Sequence, residues 1–457
     1  MSRQEKWQQN RKDESKADGK DSSMEMMNRK QTEEYIESLG QYGSVLGLEN
    51  MHRLCEKLEI PLEKLKVIHI AGTNGKGSTL AFVSTILKEA GYKVGRYISP
   101  TISDYRERIQ IGGRMITWKD LCLYMSKLRE VCERITEEGF PHPTAFEIET
   151  ALGFLYFYEK QCDMIVLETG LGGKLDATNV LPKPLVSVLA SISMDHMAFL
   201  GNTLSEIAEN KCGIIKEGCP VVSQVQPDEA MEVIEKVCLQ KHASLSVVDE
   251  DKIGKVKYGL VKQKFSYGNY KQCEIGLAGA YQIKNAALAL EVVEVLKCLG
   301  YEIADKAVLK GLQNTQWPGR FTVIGKKPLF VVDGAHNEDA SKQLAKSIEF
   351  YFTNKKIIYI MGVLKDKEYE KIIANTYSYA SQIITIKTPN NERAMDAYEL
   401  AKEVAKYHPN VTMADSIEEA VEMAYLMADK DSVILAFGSL SYLGRLTSIV
   451  EKNWKQK

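Results

Sequence analysis

A glycine-rich turn between a short apolar run and a helix-like segment constrains the fold of this chain more than any other feature. Residues 67–79 read VIHIAGTNGKGST, so Gly72, Gly75 and Gly77 directly follow a run typical of a buried strand. Glycine permits positive φ and leaves no Cβ in the way of a ligand. The amide groups of such a turn, and the N-terminus of the helix behind it, form a concave site for phosphate. The segment therefore predicts an α/β fold with a phosphate site after its first clear strand.

Two side chains of the same turn suit a nucleotide. Lys76 would add a cation for the β- and γ-phosphates, and Ser78, near which we expect the helix to begin, would add a hydroxyl. The match to the P-loop pattern is loose, because Gly77 occupies the place of the usual Ser or Thr and Ile70 replaces the first glycine. The alternative is an ordinary strand-to-helix turn that needs glycines. The combination of three glycines, a lysine and a hydroxyl disfavours that alternative.

Length and composition limit the classes of protein to consider. A chain of 457 residues is too long for one core, which predicts two domains. The formal net charge of −2 gives no reason to expect nucleic acid or an anionic membrane as partner. The sequence has no apolar run of roughly 18 residues, so we expect no segment that spans a bilayer. The 9 cysteines lack a C-x-x-C pair, which indicates the reduced thiols of a cytoplasmic protein.

Strand-like and helix-like segments alternate along most of the chain, which predicts mostly parallel sheets with helices on both faces. Residues 1–30 are rich in charge and poor in apolar side chains, and we expect a disordered tail there. Residues 255–275 alternate apolar and polar side chains, as antiparallel strands at one edge of a sheet would. The Pro-Gly pair within 316–320 predicts a linker. The predicted domains are therefore 31–315 and 316–457.

Three polar residues of the first domain stand near the ends of predicted elements. Glu168 ends an apolar strand, and a carboxylate placed there, opposite a phosphate loop, suits Mg²⁺. The alternative is a glycine-rich turn with Asp176 as its cap. His196 comes soon after the next strand, although a lone histidine is more often structural than a ligand. Lys211 lies in a predicted helix and, by itself, is most simply explained as a solvated lysine.

The linker and the second domain add groups for a nucleotide. Asp333 ends a strand within the sequence VVDGAHN, and its carboxylate would accept a hydrogen bond from a ribose hydroxyl. His336 would flank the nucleotide, and Arg320 would reach phosphates across the cleft between the domains. Ligands of open α/β sheets bind at the carboxyl ends of strands. We therefore expect these groups to meet those of the first domain.

Taken in order, these motifs resemble the folylpolyglutamate synthase/dihydrofolate synthase family within the Mur ligase superfamily. The resemblance extends from about residue 35 to about residue 446 and rests on the whole series. Its members are LGLENMHRL at 46–54, HIAGTNGKGST at 69–79, ISPTISDYRERI at 98–109, PTAFEIETALGFLY at 143–156, ETGLGGKLDATNV at 168–180, SMDHMAFLGNT at 193–203, IAENKCGIIK at 207–216, GAYQIKNAALAL at 279–290, WPGRF at 317–321 and VVDGAHN at 331–337.

The resemblance implies a fold and a set of site residues. The fold is an N-terminal Mur-ligase-like P-loop ATPase domain with a mostly parallel sheet, followed by a C-terminal Rossmann-like α/β domain. The implied catalytic residues are Lys76, Lys211 and His196, and Lys211 matches a lysine that is carbamylated in this family. The implied Mg²⁺ ligands are Ser99, Glu168, His196 and Lys211. The implied ATP contacts are Gly72, Thr73, Asn74, Gly75, Lys76, Gly77, Ser78, Asn285, Arg320, Asp333 and His336, and the positions on the pteroate side are Thr144, Leu175, Asp176 and Ala177.

The activity implied by the resemblance is the ADP-forming ligation of L-glutamate to folate, with ATP and two Mg²⁺ ions. ATP would phosphorylate the terminal carboxylate of the folate, and the amine of L-glutamate would attack the acyl phosphate. The chain departs from the family in the loop after Pro100 and at Tyr281, where His is usual. These departures leave open whether dihydropteroate is also a substrate. We expect a monomer in the cytoplasm.

Two other functions stay open at this point. A Mur-type amino acid ligase for another carboxylate usually carries a further domain before the phosphate loop, whereas 71 residues precede Gly72 here. A regulatory ATPase that uses the loop as a switch would not need Glu168, His196 and Lys211 together. ADP release that depends on both a pterin acid and glutamate would distinguish a ligase from a switch.

Overall fold

The computed structural model describes residues 26–43, 45–389 and 391–455, and most of the predicted tail, at 1–25, lies outside the described residues. Helix α1 (Arg29–Ser38) is capped by the side chain of Asn28, so the last two residues assigned to the tail are helical. Met27, just before the cap, is buried. Within the described ranges, no helix is long and apolar enough to cross a membrane.

A mostly parallel sheet organises the N-terminal part of the chain. Its strands are β1 (Val67–Ala71), β2 (Val94–Tyr97), β3 (Ile109–Ile111), β4 (Arg114–Met115), β5 (Met164–Glu168), β6 (Val186–Leu189), β7 (Val221–Ser223) and β8 (Leu245–Val247). The order across the sheet is β4-β3-β2-β5-β1-β6-β7-β8. Neighbouring strands from β2 to β8 are parallel, whereas β3 and β4 form an antiparallel hairpin at the edge next to β2.

Helices cover both faces of this sheet. After α1 they are α2 (Glu49–Lys57), α3 (Lys76–Glu89), α4 (Trp118–Glu137), α5 (Ala145–Glu159), α6 (Met197–Leu200), α7 (Leu204–Cys212), α8 (Asp228–Gln240), α9 (Tyr281–Cys298) and α10 (Asp305–Asn314). Successive residues of a strand point to opposite faces. Accordingly Ile68 of β1 joins a core with Phe82 of α3 and Leu288 of α9, while Val67 joins a second core with Phe154 of α5.

The strands predicted within 255–275 form a separate sheet. Strands β9 (Ile253–Lys257), β10 (Gln263–Tyr267) and β11 (Tyr270–Ile275) pair antiparallel in the order β11-β10-β9. The prediction of antiparallel strands is confirmed, but their predicted place at the edge of the main sheet is wrong. Their apolar side chains, among them Phe265 and Ile275, enter the core formed with α3 and α9. A sheet with one apolar face must be covered on that face, and here helices cover it.

The C-terminal part is a second open α/β unit. Its strands are β12 (Thr322–Lys326), β13 (Leu329–Val332), β14 (Ile357–Met361), β15 (Gln382–Thr385), β16 (Val411–Met413) and β17 (Val433–Phe437). Its helices are α11 (Glu338–Tyr351), α12 (Tyr369–Thr376), α13 (Ala397–Ala405), α14 (Ile417–Met427) and α15 (Leu440–Lys455). The strand order is β12-β13-β17-β14-β15-β16, and only the β12–β13 pair in this described sheet is antiparallel. The predicted α/β fold class is confirmed.

The strand orders place the sequence motifs at neighbouring strand ends. Strands β2, β5, β1 and β6 are adjacent, and their carboxyl ends lead to Ser99, Glu168, Gly72 and the loop before His196. In the second sheet β13, β17 and β14 are adjacent, and Asp333 directly follows β13. Both sheets therefore carry predicted site residues at the carboxyl ends of their strands, where open α/β folds bind ligands.

Candidate active site

The glycine-rich turn joins β1 to α3 with two glycines in conformations that other residues rarely adopt. Gly72 has φ 152° and Gly75, which caps α3, has φ 84°. A Cβ at Gly75 would lie 2.6 Å from Oδ1 of Asn285, so glycine is also required by space. The helix begins at Lys76, two residues before the start near Ser78 that we predicted. The first turn of the helix therefore begins inside the glycine-rich turn, and its amide groups, which have no partner within the helix, lie at the predicted phosphate site.

Lys76 folds back over the turn. Its Nζ donates hydrogen bonds to the carbonyl oxygens of Gly72 and Thr73, at 3.1 Å each. Burial lowers the pKa of Lys76, and the nearby carboxylate of Glu168 opposes that shift. A buried cation bound mainly to carbonyl oxygens lacks a full counter-charge in direct contact. A phosphate group bound in the turn would supply one.

The turn is fixed to the loop that follows β6. Thr73 Oγ1 donates to the carbonyl oxygen of Ser193 at 2.9 Å and accepts from the Ser193 amide at 3.0 Å. The amides of Thr73 and Asn74 donate to the carbonyl oxygen of Ser191 at 2.7 and 3.2 Å. These hydrogen bonds therefore hold the glycine-rich turn against the segment that carries His196.

Lys211 is buried against the same turn. Its Nζ donates to the carbonyl oxygen of Gly72 at 2.9 Å, and the residue is 3% exposed. The explanation as a solvated lysine is therefore wrong. Burial, aided by the positive charge of Lys76, lowers the pKa of Lys211 to about 7. A large share of this amine is neutral near neutral pH, which is the form that can react with an electrophile.

Glu168 and His196 complete the set that we assigned to Mg²⁺. Glu168 ends β5, and burial raises the pKa of its carboxyl while Lys76 opposes the rise. His196 has φ 51°, and burial lowers the pKa of its imidazole to about 4, against the opposing charge of Asp195. At neutral pH the imidazole is therefore uncharged and retains a lone pair for a ligand.

The donor set fits a hard divalent cation in part. The carboxylate of Glu168 and the hydroxyl of Ser99 are oxygen donors of the kind Mg²⁺ prefers. No group of three His, Cys, Asp or Glu side chains is arranged for a metal within the part of the chain that the structure describes. A metal here therefore needs ligands from outside that group, such as Ser99, substrate oxygens, or Lys211 converted to a carbamate.

Asp333 is held by the protein on both carboxylate oxygens. Oδ2 accepts from the amide of Phe321 at 2.8 Å and from the hydroxyl of Tyr281 at 3.1 Å, and Oδ1 accepts from the amide of Ala335 at 2.8 Å. Burial raises the pKa of Asp333, and Arg320 opposes the rise. Asp333 thus braces the start of β12 against the turn after β13, and Tyr281 is one of its partners.

His336 lies on that turn, whereas Arg320 lies just before β12 and its side chain reaches the turn. A Cβ at Gly334 would lie 2.2 Å from Nη1 of Arg320, so the guanidinium packs directly on the glycine backbone. His336 Nδ1 lies 2.7 Å from the carbonyl oxygen of Gly334, and burial lowers the pKa of the ring to about 4. Asn285, which also lines the cavity, accepts a hydrogen bond on Oδ1 from Gln224 Nε2 at 3.1 Å.

The residues that we assigned to the pteroate side belong to two neighbouring loops. Thr144 caps α5 and, with Glu147, forms a capping box. Asp176 accepts from the amides of Leu171 and Thr178 at 2.7 and 3.0 Å, so its capping role is confirmed. Leu175 is exposed, and Ala177 is buried.

All the predicted site residues line one cavity of about 890 Å³. Because ligand sites usually occupy roughly 300–1,000 Å³, this cavity has room for a nucleotide and part of a second substrate. The residues brought together are Gly72, Thr73, Asn74, Gly75, Lys76, Gly77, Ser78, Ser99, Thr144, Glu168, Leu175, Asp176, Ala177, His196, Lys211, Asn285, Arg320, Asp333 and His336.

Sequence reasoning missed several residues of the same cavity. Lys367, on the loop after β14, pairs with Asp195 at 2.7 Å and lies 3.2 Å from Nε2 of His196. Asn74 Nδ2 donates to Asp339 Oδ2 at 2.8 Å, across 265 residues of chain. Like Asp333, Lys367 comes after a buried parallel strand. This position is the signal in the sequence that could have identified Lys367 as a residue of the cavity.

Comparisons with known proteins agree with the site. The Mur ligase middle domain family matches residues 70–293, and the family of Mur ligase glutamate ligase domains matches residues 319–440. The dihydrofolate synthase/folylpolyglutamate synthase of Bacillus subtilis is 35% identical over 412 residues, which cover 88% of this chain and 94% of that protein.

Solved structures agree over nearly the whole chain. The Mycobacterium tuberculosis folylpolyglutamate synthase complexed with ADP superposes with a TM-score of 0.85 at 26% identity, covering 92% of this chain and 98% of that one. The E. coli protein FolC in complex with DHPP and ADP gives a TM-score of 0.79 at 26% identity, covering 93% of this chain and 98% of that one. With its two sheets meeting at one cavity, this chain belongs to the folylpolyglutamate synthase/dihydrofolate synthase family of Mur ligases.

Proposed function

We propose that this protein is an ATP-dependent ligase that joins L-glutamate to the terminal glutamyl carboxylate of a tetrahydrofolate and releases ADP and phosphate. The observation that carries the proposal is the single cavity in which the phosphate-type turn, the buried Lys211 and Glu168, and the loops at Thr144 and 175–177 meet. The related folylpolyglutamate synthase crystallised with ADP, and the similar FolC protein crystallised with DHPP and ADP, support the same function here.

The nucleotide would bind with its phosphates on the turn after β1. The amides at the start of α3 and the ammonium of Lys76 would hold the β- and γ-phosphates, and Arg320 would reach them from the second sheet. Asn285 lies against Gly75, where it fixes the wall beside the loop. Asp333 has its carboxylate oxygens occupied by the protein, so its main contribution would be to position Tyr281 and the turn before His336.

The first chemical step requires two anions to approach. A carboxylate is a poor electrophile, so its oxygen must attack the γ-phosphorus of ATP and become an acyl phosphate, with ADP as leaving group. Lys76 reduces the repulsion between the two anions, and its burial strengthens that effect. Mg²⁺, bound by Ser99, Glu168, His196 and a carbamylated Lys211, would further neutralise phosphate charge.

The second step requires a dry site. The amine of L-glutamate attacks the acyl carbon, the carbon–oxygen bond to phosphate breaks, and the amine loses a proton. Water would destroy the acyl phosphate, so the two sheets must close around it. The contacts of Asn74 with Asp339 and of Asp195 with Lys367 already join the two sides of the cavity.

ADP release by the purified protein tests this function. Tetrahydrofolate and dihydropteroate are offered separately with ATP, Mg²⁺ and L-glutamate, and omission of glutamate is the blank. We expect turnover with tetrahydrofolate, and turnover with dihydropteroate as well would add dihydrofolate synthase activity. Lys76→Ala is expected to lower the rate by about 100- to 1,000-fold, because it removes a cation that contacts developing charge. ADP release that ignores both acids would contradict the proposal and favour a switch ATPase.

A further inference from the structure

Arg108 stands between the predicted Mg²⁺ residues and the predicted pteroate side. It lines the central cavity, and its carbonyl oxygen accepts a hydrogen bond from the amide of Ile98 at 3.0 Å. Ile98 directly precedes Ser99, and Glu168 ends the neighbouring strand β5. The backbone of Arg108 is therefore held close to Ser99 and Glu168, which we assign to Mg²⁺.

The other neighbours of Arg108 belong to the pteroate side. Its guanidinium pairs with Glu149 of α5 at 3.2 Å, and Phe146, one turn earlier on the same helix, also lines the cavity. A Cβ at Gly170 would lie 2.4 Å from Cζ of Phe146, so the helix and the loop after β5 are in close contact there. Thr144 begins α5 at the same end. Arg108 thus brings a positive charge to the junction of the two regions.

The present contacts of Arg108 leave two of its three guanidinium nitrogen atoms without a hydrogen bond to the described residues. The side chain is 13% exposed, and its Nε and Nη1 atoms are buried without a hydrogen-bond partner among the described residues. Glu149 is close enough for charge pairing but is not aligned for a hydrogen bond. A guanidinium has five donors arranged to bind a carboxylate with two parallel hydrogen bonds. A buried one without such bonds is unfavourable unless a ligand supplies the acceptor.

The acceptor of the proposed reaction has a carboxylate that needs a partner. The terminal glutamate of a folate has a γ-carboxylate, which reacts with ATP, and an α-carboxylate, which does not react and keeps its charge. Lys76 and Lys211 already donate to carbonyl oxygens of the glycine-rich turn, and Arg320 packs on Gly334 beside the second sheet. Dihydropteroate differs, because its one carboxylate is the group that reacts.

We propose that Arg108 binds the α-carboxylate of the terminal glutamate of the folate acceptor and so favours folates that already carry glutamate. This inference rests on the proposed function and adds a specificity-determining residue to it. Glu149 holds the guanidinium in place by charge pairing. The side of the guanidinium that faces the cavity would bind the carboxylate of the ligand. Binding would set the γ-carboxylate on the side of Ser99, Glu168 and the phosphate turn.

Two matched ligands test the inference. One is tetrahydrofolate, and the other is its 4-aminobutyrate analogue, which keeps the reactive carboxylate and has hydrogen in place of the α-carboxylate. Calorimetry of the full chain with a non-hydrolysable ATP analogue and Mg²⁺ gives both dissociation constants without turnover. We expect the wild-type protein to prefer tetrahydrofolate by about 30-fold or more, because losing one partner of a buried, hydrogen-bonded charge pair has at least that effect on a dissociation constant. Arg108→Gln should remove this preference while affinity for the analogue changes little.

Controls separate specificity from folding. Arg106→Gln is the matched variant, since Arg106 lies in the same turn but pairs with Asp104 and does not line the cavity. It should keep the wild-type preference, and Arg108→Lys should keep part of it. Thermal unfolding of each variant checks that the fold is intact. If Arg108→Gln fails to fold, the comparison of Arg108→Lys with wild type carries the test.

Three outcomes would overturn the inference. A wild-type protein that binds both acids equally lacks an α-carboxylate site. An equal loss of affinity for both acids in Arg108→Gln would show that Arg108 serves the shared part of the ligand. A raised KM for L-glutamate with unchanged acceptor affinity would assign Arg108 to the incoming amino acid. If the wild-type protein binds neither acid, the proposed function itself fails, which is a distinguishable result.

Discussion

Lys76 and Lys211 direct their ammonium groups to the same carbonyl oxygen, that of Gly72, at 3.1 and 2.9 Å. Two buried cations so close together repel, and the pKa of Lys211 falls to about 7 through burial and this neighbour. Lysine is the side chain that responds to burial in this way, whereas arginine keeps its charge. The pair thus places the Lys211 amine, part of which is neutral near neutral pH, beside the ammonium of Lys76.

We predict that Lys211 adds carbon dioxide in a pH-dependent manner. Only the neutral amine attacks carbon dioxide, and with a pKa of about 7 the neutral share grows as pH rises from 6 to 8. A carbon-13 carbamate resonance should therefore appear in protein equilibrated with labelled bicarbonate at pH 8 and weaken at pH 6. Lys211→Arg, which cannot form the adduct, is the control. No resonance at either pH would contradict the prediction.

The residues of the site were predictable where a motif carries them. Glu168, Asp333 and the phosphate turn each follow an apolar run that the sequence marks as a strand, and the structure brings them into one cavity. Lys211 required the family resemblance, because burial of a helix lysine cannot be inferred from helical spacing alone. Arg108 and Lys367 were missed because their partners, Glu149 and Asp195, lie 41 and 172 residues away along the chain.

Strands of four or five mostly apolar residues can be recognised in the sequence, whereas shorter strands cannot. Strands β1, β5, β6, β13 and β14 coincide with mostly apolar runs of the sequence, because fully buried strands have nearly continuous apolar composition. Strands β4, β7 and β16 have only two or three residues, which is too few for a period to be recognised. Their pairing depends on neighbours in the sheet rather than on local sequence.

Helix α3 shows why the turn departs from the strict P-loop pattern. A Cβ at Gly77 would lie 2.6 Å from Cζ2 and 3.0 Å from Nε1 of Trp317, which comes from the segment before β12. The ring therefore occupies the space that a Ser or Thr would need. The packing of Trp317 against α3 therefore explains the glycine at position 77. The sequence pattern of the turn alone does not reveal this contact.

We predict that Gly77→Ser, which restores the usual P-loop residue, destabilises the protein. The new side chain would collide with the Trp317 ring, and overpacking of this kind costs about 1–3 kcal/mol. Urea unfolding should show the loss, and Gly77→Ser with Trp317→Ala should recover part of it. Gly40→Ser is the control, because a Cβ there would meet nothing within 4 Å. Unchanged stability of Gly77→Ser would mean that the ring moves aside freely.

At the scale of the whole molecule, several polar contacts join the N-terminal part to the second sheet across the cavity. Lys367 pairs with Asp195 at 2.7 Å, Asn337 donates to Asp195 at 3.0 Å, and Asn74 donates to Asp339 at 2.8 Å. Although burial acts in the opposite direction, the charge of Lys367 holds the pKa of Asp195 below its ordinary value. These contacts hold the glycine-rich turn and the second sheet together in the ligand-free protein.

We predict that Lys367→Met opens the cleft of the ligand-free protein. The pair is buried, with side chains 8% and 9% exposed, and removal of one partner of such a pair costs about 3–5 kcal/mol. The unpaired Asp195 would regain water most easily if the two sheets move apart. Small-angle scattering should therefore give a larger radius of gyration for the variant without ligands, and a non-hydrolysable ATP analogue with Mg²⁺ should reduce the difference. Lys371→Met is the matched control, since Lys371 lies four residues on and is half exposed.

The same variant also distinguishes two roles of Lys367. Its Nζ lies 3.2 Å from Nε2 of His196, so it occupies one approach to a residue that we assign to Mg²⁺. If Lys367 only closes the cleft, saturating nucleotide should restore the compact form and much of the kcat of Lys367→Met, because ligand binding replaces the lost contact. If Lys367 also acts on bound substrates, kcat should stay low although scattering shows the compact form. An unchanged radius of gyration in the ligand-free variant would show that the remaining contacts, among them Asn337 with Asp195 and Asn74 with Asp339, are sufficient to hold the two sheets together.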